Sequence, residues 1–68
     1  CIPEAIEAYE KCLSLNEKNE LALFNLGGLH WNSNNFEEAS RVWKLAVMFY
    51  PEHELAHKLR SDIPFILI

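Results

Sequence analysis

The sequence predicts an all-α chain, and three observations carry that expectation. Apolar residues recur at helical spacing through almost all of its 68 residues. No segment sustains the two-residue alternation of a half-buried strand. The breaks between periodic stretches are short and hold residues that stop helices, namely Asn16-Glu17-Lys18-Asn19, Asn32-Ser33-Asn34-Asn35 and Pro51.

The first helix runs from about Ile2 to Leu15, with a stripe of Ala5, Ile6, Tyr9, Cys12 and Leu13. Pro3 suits its first turn, where a missing N–H costs nothing. Glu4 and Glu7 complement the positive end of the helix. Asn19 is an N-cap for the second helix, whose pattern is Leu23, Leu26, Gly27, His30 and Trp31. The Asn-rich turn that follows suits left-handed backbone, which Asn tolerates better than most residues. The third helix begins after Asn35, with Glu38 at capping-box spacing, and carries Ala39, Val42, Trp43, Ala46 and Val47. Pro51 closes it, because the residue before a proline avoids helical geometry. A fourth helix covers His53 to about Ser61. Pro64 then stops the pattern, and Phe65-Ile66-Leu67-Ile68 is expected to be extended or irregular.

Composition removes several function classes. Half of the residues are hydrophobic, which is too many for a disordered chain. Ten acidic residues stand against six basic ones, a net charge of -4, so nucleic acid is not expected as a partner. The longest apolar run, Phe65 to Ile68, is far short of the ~20 residues that cross a bilayer, so no membrane insertion is expected. The opening residues lack the pattern of a secretory leader. Cys1 stands where a Met would begin a chain, and an upstream part is therefore expected. Cys1 and Cys12 on one helix lie roughly 16 Å apart, too far for a disulfide. Free thiols suit a reducing, cytoplasmic compartment.

An internal repeat appears when the chain is slid against itself by 34 residues. Glu4-Ala5 falls on Glu38-Ala39, Tyr9 on Trp43, Cys12 on Ala46, Leu13 on Val47 and Leu15 on Phe49. Glu20-Leu21-Ala22 falls on Glu54-Leu55-Ala56.

A period of that length built from two short helices resembles the tetratricopeptide repeat. Residues 20–53 resemble one complete repeat. Leu23 holds the first bulky place, Leu26-Gly27 the Leu-Gly pair, Phe36 the aromatic that opens the second helix, and Ala39, Trp43 and Ala46 its small-aromatic-small pattern. Pro51 holds the closing proline. His30 departs from the motif's Tyr, and Glu17 replaces the closing Pro of the preceding repeat. Residues 1–19 then resemble the second helix of a partial repeat plus its turn, and residues 54–62 the first helix of a partial or capping repeat. There His57 and Arg60 stand in places that usually carry bulky apolar residues. Residues 63–68 are an apolar tail. The resemblance implies antiparallel helix pairs within a right-handed superhelix. Because one repeat alone buries too little, the chain is expected to be a segment of a longer array.

The residue chemistry agrees with packing. Gly27 and Ala39 allow helices to approach to the short end of the ~8–10 Å range, while Tyr9 and Trp43 fill the gaps between successive helices. Gly27 costs about 1 kcal/mol of helix propensity, which close packing is expected to offset. Cys12, in a small-residue place, is expected to be buried.

One motif points elsewhere. His53-Glu54-Leu55-Ala56-His57 satisfies H-E-x-x-H, which on a helix puts two imidazoles on one face for zinc and a carboxylate beside a metal-bound water. Three features oppose a zinc hydrolase. His53 comes two residues after Pro51, at the helix start, and Asp62 is the one nearby downstream third ligand. The repeat register also accounts for the segment without metal. No catalytic residue, metal ligand or cofactor is therefore expected, and the chain is not expected to be an enzyme.

Function follows from the resemblance. Tetratricopeptide arrays are protein-binding scaffolds whose first helices line a concave groove for an extended peptide or a partner helix. Carried over residue by residue, that groove would show Leu21, Phe24, Asn25, Gly28, Trp31 and Asn32, extended by Leu55, Lys58, Leu59 and Asp62. Asn25 matches a groove Asn that hydrogen-bonds ligand backbone, and Phe24 and Trp31 would be aromatic anchors. Some family members clamp a C-terminal carboxylate with Lys, Arg and Asn. Leu55 and Leu59 stand where such a clamp needs cations, which favours a more apolar ligand. The competing reading is a structural spacer within a large complex. The exposed tail would be an aggregation hazard and is expected to be covered.

Overall fold

Local signals set the helix ends seen in the computed structural model, which describes residues 1–68. Four helices follow one another: α1 (Ile2–Leu15), α2 (Glu20–Asn32), α3 (Phe36–Phe49) and α4 (Glu54–Asp62), then a short 3-10 turn over Pro64–Leu67. There are no strands. Asn19 caps α2 by accepting from the Ala22 amide at 3.0 Å. His53 caps α4 in the same way, its Nδ1 accepting from the Leu55 amide at 3.0 Å. Asn34 takes the left-handed conformation, φ 63°, that its turn requires.

The capping box expected at α3 does not form. Asn35 turns its amide back to donate to His30 Nδ1 at 3.2 Å, and Glu38 is taken by Arg41 at 2.9 Å. The Arg41 hydrogen bond holds the Glu38 carboxyl below the usual carboxylate range, and the same bond raises Arg41.

Helices α2 and α3 run antiparallel. Trp31 meets Phe36 beside the turn, with ring centroids 4.8 Å apart, and Phe24 meets Trp43 further along. Gly27 is the centre of this seam. The Trp43 ring lies flush on its α-carbon, and any Cβ there would sit inside the ring's van der Waals envelope. Trp43 Nε1 donates to the Phe24 carbonyl at 3.1 Å, so the ring is fixed as well as buried. Ala39 and Ala46 are fully buried, and with Leu23, Leu26 and Val42 they complete the core.

Helix α1 packs mainly on α2, through half-buried Ile6, Tyr9 and Leu13, and none of its residues is fully buried. Cys12 is exposed, contrary to expectation, because no element of the chain covers that side of α1. Both cysteines are free thiols. The α1–α2 turn is held from the far end of α3. Tyr50 donates its hydroxyl to the Lys18 carbonyl, and the Lys18 ammonium lies 5.0 Å from the Phe49 ring centre.

The tail is not extended. Pro64 presets a tight turn that folds back on α3, burying Ile66. Ser40 Oγ donates to the Ile66 carbonyl and pins it there. Phe65 and Ile68 remain exposed, so the tail is covered only at Ile66 and, in part, Ile63 and Leu67. No helix is long and apolar enough to cross a membrane.

Candidate functional site

The turn at Pro51 sends α4 back along α2, yet the two helices do not close on each other. They are joined where His53 stacks on Phe24, with ring centroids 4.3 Å apart. His53 Nε2 also reaches Glu20 Oε1 at 2.7 Å, joining the start of α4 to the start of α2. Beyond that clamp, residues of the two helices line a cavity of about 410 Å³. That volume is within the size range of a ligand pocket.

Gly28 and Trp31 of α2 form one wall, and Leu55 and Leu59 of α4 the other. Lys58 and Asp62 carry the charges at the rim; neither makes an ion pair within 4.0 Å. The cavity is therefore apolar inside with one charge of each sign at its edge. Such a site suits a large apolar side chain whose flanking polar groups stay near the rim.

The structure gathers five of the eight expected groove residues around this cavity: Phe24, Gly28, Trp31, Leu55 and Lys58. Leu59 and Asp62, expected to extend the groove, also line it. Phe24 is buried under His53, so it is a wall of the cavity and does not project as an anchor. Asn25 is committed to α1, its amide donating to the Tyr9 hydroxyl at 3.1 Å. Leu21 is exposed on α2 and Asn32 ends that helix; neither reaches the cavity.

Two lining residues were not expected. Ile63 follows the last turn of α4 and carries no sequence signal for the role. Trp43 was expected only as core filling, but its ring edge passes beneath Gly28, within 3.9 Å of where a Cβ would lie, and so reaches the cavity floor. The adjacent glycines, with no side chain over a long ring, are the signal that could have found it.

The H-E-x-x-H segment is built differently from a metal site. His53 spends Nδ1 on the cap and Nε2 on Glu20. His57 lies outside, with Nε2 3.4 Å from Glu52 and Nδ1 accepting from Arg60 at 2.9 Å. No group of three His, Cys, Asp or Glu side chains converges to hold a metal ion.

A family model described as tetratricopeptide repeat matches residues 2–63. Among curated proteins, the human tetratricopeptide repeat protein 6 is 36% identical over 50 residues. Those residues are 74% of this chain and 10% of the human protein, so the chain spans about a tenth of that relative's length. No solved structure matches.

Proposed function

The chain belongs to the tetratricopeptide repeat family, a family of protein–protein interaction scaffolds, and on that premise we propose that it binds a partner protein in the cleft between α2 and α4. The observation that carries this reading is the unfilled apolar cavity beside Trp31 and Leu55, whereas at Gly27 the seam toward α3 leaves no room for even a methyl group. Buried apolar walls with a polar rim are the anatomy of an interface hot spot. The ligand presents a bulky apolar side chain to Trp31, Leu55 and Leu59, with Lys58 and Asp62 fixing its orientation. Under this reading the chain acts without catalysis, and His53 is a structural clamp.

Site-directed photo-crosslinking tests the proposal. A benzoylphenylalanine at Leu55, on the cavity, is compared with one at Met48, exposed on α3 away from it. Capture of the same partner from Leu55 and not from Met48 supports the cleft. Capture from Met48 alone, or from neither site in an assembled complex, moves the assignment to a structural spacer.

A further inference from the structure

Trp31 lines two clefts. Besides the α2–α4 cavity it contributes to a more open one of about 560 Å³, completed by Phe36, Glu37 and Ser40 at the start of α3 and by Phe65 and Ile66 of the tail. This second cleft exists because the tail folds back. Ile66 is buried and its carbonyl is held by Ser40, which leaves Phe65 standing beside the Trp31–Phe36 edge-to-face pair.

The lining has an unusual chemistry. Three aromatic residues and one acidic residue line it, and Phe36 (49%), Phe65 (66%) and Glu37 are exposed. Glu37 makes no ion pair, whereas its neighbour Glu38 is held by Arg41. Its place in the first turn of α3 accounts for an acidic residue, since a helix N-terminus favours one. It does not account for three aromatic residues lining the same cleft. A purely apolar or an anionic ligand would bury the Glu37 carboxylate without a counter-charge, which is costly. A cation with an alkyl stem meets both demands: the charge pairs with the carboxylate and lies against ring faces, and the stem covers apolar surface.

We propose that this tail-built cleft receives a lysine or arginine side chain of the partner segment whose apolar anchor occupies the α2–α4 cavity. The inference rests on the groove reading above and adds a charge requirement to it. The chain's net charge of -4 acts in the same direction over longer range.

The test is an NMR titration of the chain with the N-acetyl, N′-methylamide derivatives of lysine, arginine and norleucine. The lysine and arginine compounds are expected to shift the Trp31 indole and the Phe36 and Phe65 ring signals. Norleucine, without the charge, is expected to shift the Leu55 and Leu59 methyls instead. Glu37→Gln should weaken the lysine compound about threefold and leave norleucine unchanged. Phe65→Ala should weaken it by about the same factor. Both residues are exposed, and the amide spectrum reports that each variant is folded. The proposal is overturned if norleucine moves the Phe65 signals as strongly as lysine does, if Glu37→Gln changes nothing, or if no compound moves them. Failure of norleucine at Leu55 and Leu59 counts against the groove reading separately.

Discussion

Helix α2 has two seams, and they are built on opposite terms. Toward α3 it presents Gly27, and the fixed ring of Trp43 takes up the space where a side chain would lie. Toward α4 it presents Gly28 and Trp31, and nothing fills the space between them and Leu55 and Leu59. One residue step along the same helix thus separates a closed seam from an open one. The closed seam holds the fold, and its apolar surface is satisfied within the chain. The open seam leaves apolar surface of Trp31, Leu55 and Leu59 uncovered within the chain. The lesson is that the same residue type, glycine, marks tight packing on one side and available volume on the other. The distance to the Trp43 ring, which faces both, decides which.

The sharpest way to break this contrast is to empty the closed seam. Trp43→Ala removes a buried ring and its hydrogen bond to Phe24, and is expected to cost about 3–5 kcal/mol. In a small domain that loss is comparable to the whole stability, so the thermal unfolding transition followed by circular dichroism should vanish or fall below room temperature. A transition near that of the wild type would mean that Trp43 is not the centre of the core.

The two glycines give the next contrast. Gly27→Ala gains helix propensity of about 1 kcal/mol but forces a methyl into the fixed ring, for a net loss of about 1–2 kcal/mol. Gly28→Ala meets ordinary contact and should be neutral or raise stability by up to about 1 kcal/mol. Urea midpoints that move the same way in both variants would erase the distinction between the seams.

His30 shows that the closed seam is not perfectly satisfied. Its Nδ1 accepts from Asn35, while its buried Nε2 has no partner. His30→Leu removes that orphan group and frees Asn35 to bond water at the surface, and is expected to raise stability by about 1 kcal/mol. A lower urea midpoint would show that the His30–Asn35 bond outweighs the orphan.

The smallest effect belongs to neither seam. The folded Glu38 carboxyl titrates below its unfolded value because Arg41 donates to it. Its contribution is therefore present above the unfolded value and is lost as the pH falls through the lowered one. The pair is exposed, at 40% and 59%, so the contribution is only about 0.3 kcal/mol. Glu38→Gln should flatten the acid limb of the pH–stability curve by that amount and leave the neutral plateau's slope unchanged.

Much of the closed seam was legible in the sequence because it repeats. The 34-residue offset placed Tyr9 and Trp43 in equivalent roles, and Asn19, Pro51 and the Asn-rich turn marked real helix ends. What escaped depends on contacts between elements that share no period. Asn35 has a capping residue's identity, but its side chain makes no cap bond and donates to His30. Cys12 has the repeat's small-residue place but no helix against it. The tail reads as extended from its β-prone residues, yet burying Ile66 and satisfying its carbonyl favour a turn. At the site, Trp31, Leu55 and Lys58 followed from register. The burial of Phe24 and the diversion of Asn25 did not, since each depends on a partner on another helix, His53 and Tyr9.

The most direct measurement fills the open seam and asks whether binding goes with it. Gly28→Leu points a side chain into the α2–α4 cavity, where the nearest atom to its Cβ is 3.9 Å away. Thermal unfolding and partner capture by the Leu55 crosslinker are read on the same preparation. The predicted result is a melting transition close to the wild type with capture abolished. Undiminished capture by a folded Gly28→Leu chain would contradict the central claim that the open seam is where the partner binds.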